Sequence, residues 1–298
     1  MLISRSFLCT EYKTYLGDNL MALAIATNNA ALNAAASASS VNRDMETSMA
    51  RLSSGKRINS ASDDAAGVAI SSRLSAEIRG TEQAIRNSLD GQALIDTAEG
   101  AHKEIENILQ RMREVAVQSN NDTNNAQDRA NLQAEMNAMA TEIDRIAGTT
   151  TWAGTNLMDA ATSNFSFQVG SATGAKNQIA VSIKTMNAAG LTVEAADLDI
   201  DDTSAKRLTA IVNVDAAIKA VNDQRSELGA VSNRLNHTVN NLTNISTNLS
   251  AAKGGIEDAD FALETTNLAK NQILQQASTA MLAQANASKQ NVLSLLQG

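Results

Sequence analysis

The chain of 298 residues contains no proline. Average usage would supply about 15. Proline lacks a backbone donor and breaks helix interiors, so its absence leaves long helices uninterrupted. Slow X–Pro isomerisation is also removed from folding. Aromatic residues make up only 2%, which excludes a large core of packed rings. Any core must run along narrow seams of Leu, Ile, Val, Met and Ala. The one cysteine, Cys9, lies in the first 20 residues, so disulfides contribute nothing to the rest. No basic tract exists and the net charge is −8. That argues against nucleic acid as a partner and against an anionic membrane surface. No apolar run approaches the roughly 18 residues of a membrane-spanning helix, so no membrane insertion is expected.

Charge is also missing from both ends. Met21 to Ser40 has no Asp, Glu, Lys or Arg, and Ala262 to Gly298 has only Glu264, Lys270 and Lys289. Both stretches are helix formers rich in Ala, Asn, Gln, Ser and Leu. A soluble helix with one core face covers its other face with charge. These ends do not, so they are expected to bury both faces against other copies of the chain. Residues 1–20 differ again, with Phe7, Tyr12 and Tyr15 among them. Their apolar stretches are short and broken by Arg5, Ser6, Thr10 and Glu11, unlike a signal peptide. They are expected to stand outside the fold, as a start called too early ahead of Met21.

What is present is helical periodicity. Val41, Met45, Met49 and Leu52 follow helical spacing and extend a helix that begins at Met21. Ser53 to Asp64 is polar and turn-forming, and Ser62, Asp63 or Asp64 can cap the next helix. The pattern resumes from Ala65 to about Ser119, with Leu74, Ile78, Ile85, Leu89, Ile105, Ile108, Met112 and Val115 along one drifting stripe. After the polar break Asn120 to Asn125, Leu132, Met136, Met139, Ile143 and Ile146 form a heptad-like seam. Phe165, Phe167 and Val169, then Ile179, Val181 and Ile183, alternate as half-buried strands of a hairpin. Thr203 to Leu249 is helical again. Gly254-Gly255 is expected to break it before a last helix from about Asp258 to Leu296. The expected fold is mainly α. It is a long antiparallel helical bundle or coiled coil built from both termini, with a small β-hairpin region in the central insert.

Chemistry-bearing residues are sparse. The two histidines, His102 and His237, lie in helical stretches, and His102-Lys103-Glu104 is not a zinc motif. Asp197, Asp199, Asp201 and Asp202 lack the glycine and glutamate positions of a calcium loop. No phosphate-binding loop and no nucleophile–base pair is visible. The expectation is a non-enzymatic protein without cofactor or metal.

Several blocks carry a family resemblance. Met21-Ala22-Leu23 opens an uncharged helix, and Leu52 to Gly67 reads LSSGKRINSASDDAAG. Near the other end stand Ile256-Glu257-Asp258-Ala259-Asp260-Phe261-Ala262, Gln272 to Ala277, Met281 to Asn286, and Val292 to Leu296. These resemble bacterial flagellin, in the same order, over about residues 21–158 and 204–297. Lys289 stands where the family often has Pro, and Gly255 where Arg is frequent. Gly148 to Thr203 leaves no room for large outer domains, so the chain resembles a minimal flagellin.

The resemblance implies a structural subunit of the flagellar filament, outside the cell, that serves motility. Subunits would leave unfolded, without a cleaved signal peptide, through the flagellar export apparatus, served by an export chaperone. They would then polymerise at the tip among cap and junction proteins. Residues 21–57 with 256–298 would form a terminal coiled coil lining a channel. Met45, Met49, Leu274, Met281, Val292 and Leu295 would contribute to it. Residues 58–255 would form a rod domain with its β insert at about 149–203. Arg57, Asn59, Asp63 and Asp64 would be the connector on which polymerisation depends. Arg111, Val115 and Glu135 match a segment that packs subunits together and is recognised by a vertebrate innate immune receptor. Two other readings share some features: a hook–filament junction protein, and a secreted coiled-coil adhesion protein.

Overall fold

The computed structural model describes residues 27–159, 163–200 and 203–297, with the side chains of the last few residues left aside. The expectations placed on residues 1–20, on Met21, on Asp201 and Asp202, and on the side chains of Val292 and Leu295 lie outside the described residues. The chain divides into two compact units. One holds the described residues up to Ser71 and from Gly254 onward, and the other holds Ser72–Lys253.

In the first unit, α1 (Asn29–Ser54) begins at Asn28, whose side chain accepts the Ala31 amide at 3.1 Å. It ends at Gly55, whose φ of 70° is the left-handed conformation that closes many helices. The last helix, α5 (Phe261–Gln297), begins after Asp260, whose carboxylate accepts the amides of Ala262 and Leu263. The two helices pack antiparallel. Asn28 donates to the Ala285 carbonyl, Gln275 donates to Asn42, and Arg51 pairs with Glu264.

The second unit is built on three helices. α2 (Ala65–Ser119) starts in the first unit, where Asp64 accepts the Gly67 amide at 2.8 Å. At about 1.5 Å per residue, its 55 residues extend roughly 80 Å. The break at 120–125 is as expected. α3 (Ala126–Thr149) then begins with a reciprocal capping box between Asn125 and Asp128. α4 (Ser204–Glu257) buries Val214, Val221, Leu228, Leu235 and Leu242, a strict seven-residue repeat. Arg113 pairs with Asp215, and Arg225 with Glu99 and Glu106, so α2 and α4 run antiparallel.

Between α3 and α4 lie two antiparallel ribbons. A short one joins β1 (Thr151–Trp152) to β2 (Thr155–Asn156). Its turn holds Ala153 and Gly154 at positive φ. The larger joins β3 (Ser163–Gln168) to β4 (Gln178–Ile183), with Phe165 opposite Val181 and Phe167 opposite Ile179. This is the hairpin that the alternation predicts. Its apolar face meets the helical core, and Gly91 of α2 provides the space. A Cβ there would stand 3.2 Å from the Phe167 ring.

Three expectations need correction. Gly254 and Gly255 do not end α4, which continues to Glu257. Each glycine costs about 1 kcal/mol in a helix interior, too little to outweigh the bonds on either side. The Asp258 amide still donates to the Gly254 carbonyl at 2.8 Å. Leu89 lies outside the α2 seam and is exposed, while Thr81, Ala84 and Ser88 are buried. Met49 is likewise 54% exposed, and Ser48 takes the buried place in α1. Ser48 and Ser88 take the buried places, and their large neighbours Met49 and Leu89 are turned outward.

Candidate assembly surfaces

The connector joins the two terminal segments of the first unit. After Gly55 the chain pairs with the end of α4. The Arg57 amide donates to the Glu257 carbonyl at 2.6 Å, and Ala259 N donates to Gly55 O at 3.0 Å. Lys56 Nζ lies 3.1 Å from Glu257 Oε2, and Arg57 Nη2 donates to the Ile256 carbonyl at 2.7 Å. The last carbonyls of α4, orphans in any helix, are thus capped from a segment distant in sequence. Asn59 donates from Nδ2 to the Lys56 carbonyl at 3.3 Å. Asp63 folds the loop on itself, accepting from Asn59 N, Ser60 N and Ser60 Oγ at 2.8 to 3.1 Å. The Ser60 and Asn59 amides, in that order, hold its carboxyl below the usual 3.8, with smaller help from the Ser60 hydroxyl and Arg51. Ile58 is buried beneath. Among the four expected connector residues, Arg57 reaches the distant segment, while Asn59, Asp63 and Asp64 make local bonds.

The α1–α5 seam has an unusual composition. From α1 it takes Ala31, Ala34, Ala38, Val41, Met45, Ser48 and Leu52. From α5 it takes Glu264, Leu268, Asn271, Gln275, Ser278, Leu282 and Ala285. Both sets advance by three- and four-residue steps. Most members are small or polar. Val41, Met45, Leu52, Leu268 and Leu282 are its large apolar members, and others point away: Phe261 is 66% exposed, Ile273 67%, and Met281 57%, with Leu32, Leu263 and Leu274 also exposed. Met45 therefore sits in the seam, whereas Met49, Leu274 and Met281 are exposed. Neither periodicity alone nor composition distinguishes these two roles.

In the second unit, Arg111 and Glu135 meet, which the sequence does not predict. Arg111 Nη2 donates to Glu135 Oε1 at 2.8 Å, with Glu114 at 2.9 Å on the other side. Their hydrogen bonds hold the guanidinium in its charged form even more firmly than usual. Val115 departs from the expectation. It is fully buried in the core with Met112 and Ile105, because it falls on the inner face of α2. It has no surface to offer a neighbour.

The region described as the bacterial flagellin N-terminal helical region matches residues 25–163, and the bacterial flagellin C-terminal helical region matches 211–296. The chain belongs to the flagellin family. A flagellin of Halalkalibacterium halodurans is 47% identical over 252 residues, covering 85% of this chain and 92% of its own. A flagellin of Bacillus subtilis is 44% identical over 301 residues, covering 91% and 98%. The crystal structure of Bacillus cereus flagellin, 35% identical, covers 56% of this chain and 94% of its own with a TM-score of 0.45. As a flagellin, the chain is a structural subunit of the flagellar filament. Membership does not favour the junction-protein and adhesion readings. The two departures from the flagellin pattern are local. Lys289 leaves α5 continuous to Gln297, and Gly255 sits within an unbroken α4.

Proposed function

We propose that this flagellin polymerises chiefly through the outward apolar faces of α1 and α5. One observation carries the reading. Leu32 and Met49 of α1 and Phe261, Leu263, Ile273 and Met281 of α5 are exposed, while most residues of the seam between the two helices are small or polar. Ordering a residue costs about 1–2 kcal/mol of backbone entropy, and such a seam offsets little of it. The terminal helices therefore order on assembly, when neighbouring subunits cover these faces. The connector, from Arg57 through Asn59, Asp63 and Asp64, sets the geometry in which they are presented. The protein acts as a building block without catalytic activity. It is exported unfolded, without a cleaved signal peptide, by the flagellar export apparatus and an export chaperone, and it meets cap and junction proteins at the tip. The absence of proline and of any cysteine beyond Cys9 suits passage through a narrow channel and fast folding afterwards.

Electron microscopy of purified protein polymerised in salt tests the reading. Full-length chains should form long filaments, and chains lacking residues 21–60 should form none. Long filaments from the truncated protein would overturn it. Charge reversal at Arg57 or Asp63 should weaken polymerisation while leaving export intact.

The Arg111–Glu135 face supports a second proposed role, contact with a vertebrate innate immune receptor. A cell reporter assay should respond to the protein and lose the response with Arg111→Ala. A response unchanged by that substitution rules the contact out.

A further inference from the structure

We propose that His102 is an acid-sensitive catch in the helical core of the second unit, neutral while α2 and α4 are packed and favouring their separation once it takes a proton. His102 has no accessible surface. Neither ring nitrogen has a hydrogen-bond partner of good geometry. A histidine kept only for packing would be expected to satisfy at least one nitrogen. This one is buried in the second unit, and only the Ala98 carbonyl and Glu99 favour an added charge there.

The surrounding charges are already engaged. On α2 the neighbours are Glu99, one turn before, and Glu106, one turn after. From α4, Arg225 reaches across to both. Its Nε donates to Glu99 Oε1 at 2.8 Å, and its Nη1 pairs with Glu106. The two carboxylates are thus bound to a permanent cation, and a protonated His102 would add a second positive charge beside it. The antiparallel pairing of Arg111 with Glu135 brings Glu142, Asp144 and Arg145 of α3 to this level. Glu142 and Arg145 pair with each other at the surface, and Asp144 accepts the Ala188 amide. Past the end of β4, Lys184 pairs with Glu227 of α4, also at the surface. Among these groups Glu99, Glu106, Glu142 and Glu227 are each paired with a cation, and Asp144 is held by a backbone amide.

Burial is the main influence on the ring and holds its proton affinity below the usual 6.5. Arg225 acts in the same direction. The Ala98 carbonyl and Glu99 oppose it without prevailing. Linkage fixes the sign. The unfolded chain binds the proton at about pH 6.5, and the packed ring binds it more weakly. Stability is therefore full above about pH 6.5. It falls as acid is added, by up to tenfold in the folding constant per pH unit, until the packed ring itself titrates.

The test uses the full-length monomer, so its outcome does not depend on filament formation. Urea unfolding is measured at pH 7 and pH 5 for the native chain, His102→Leu and His237→Leu. The native chain and His237→Leu should lose stability together over this range. His102→Leu should show a smaller loss than the native chain, because leucine fills the site without a titrating group. Retention of the full native pH dependence by His102→Leu would overturn the proposal. If that variant fails to fold, ring-proton NMR of the native chain decides, since it has two histidines. The His102 ring should stay neutral in the folded protein below the pH at which a free imidazole takes its proton. A His102 ring that titrates near pH 6.5 in the folded protein would refute the catch.

Discussion

Replacing Ile273 and Met281 together by glutamine should separate the subunit's own stability from its assembly. Ile273 keeps 67% of its surface and Met281 57%. Burying such a side chain completely is worth about 1.5–3 kcal/mol, so about 1–2 kcal/mol at each position awaits a neighbour. The pair together represents about 3 kcal/mol of assembly free energy. At 1.4 kcal/mol per factor of ten, the critical concentration for polymerisation should rise about 100-fold or more. The isolated subunit should register almost nothing. Glutamine is at least as good a helix former as isoleucine and close to methionine. Substitutions at such exposed sites usually stay within about 0.5 kcal/mol. The assay is sedimentation of polymer from soluble subunit over a concentration series, seeded with native filament fragments. Circular dichroism and urea unfolding of the unassembled chain run in parallel. A critical concentration within threefold of the native value would refute the reasoning. So would a loss of subunit helicity large enough to account for the change.

Gly255→Ala should stabilise the subunit by about 0.5–1 kcal/mol, because the position is helical and open space surrounds it. Gly254→Ala should gain less or lose, since its Cβ would stand 2.8 Å from the Asp258 carboxylate; thermal unfolding distinguishes the two. Gln224→Ala should cost about 2–3 kcal/mol in urea unfolding. Its buried amide donates to the Ser182 carbonyl at 2.9 Å, and its oxygen accepts the Lys184 amide. Asp63 carries a lowered carboxyl pKa, so its contribution is present above the ordinary 3.8 and lost as pH falls through its folded value. Hydrogen exchange at the Asn59 and Ser60 amides should stay protected from pH 7 down past the ordinary 3.8 and accelerate only once the folded carboxyl titrates.

Much of this architecture is legible because it is built from strong local signals. The start of α2 at Ala65 follows from an Asp cap, and the start of α3 from Asn125 with Asp128 three residues on. The β3–β4 pairing follows from period-two alternation at Phe165, Phe167, Val181 and Ile183. The β1–β2 ribbon is not anticipated, since two-residue strands carry no alternation. Its one signal is Ala153-Gly154 at positive φ, and alanine is an unusual residue there. The true end of α4 is hidden for a different reason. It is set by Arg57 and Lys56, which meet Ile256, Glu257 and Asp258 only in the folded chain. A glycine pair is visible in the sequence, but the bonds that cap the helix are not.

The remaining misreading concerns which residues fill a seam, and it bears directly on function. Periodicity selects the largest apolar residue in each turn, which places Met49 in the first seam and Leu89 in the second. The structure seats Ser48 and Ser88 there instead. In the second unit this matters little, because the core retains Leu94, Ile105, Leu109, Met136, Ile143 and the α4 heptads. In the first unit it decides the behaviour. A seam of mostly Ala, Ser, Asn and Gln has little apolar area to remove from water, so α1 and α5 gain little from each other. Their large side chains remain available to whatever covers them. Met49 and Ile273 placed in that seam beside Met45 would have given the pair more to gain from itself. The outer surface would then be alanine and serine, with little to gain from a neighbour.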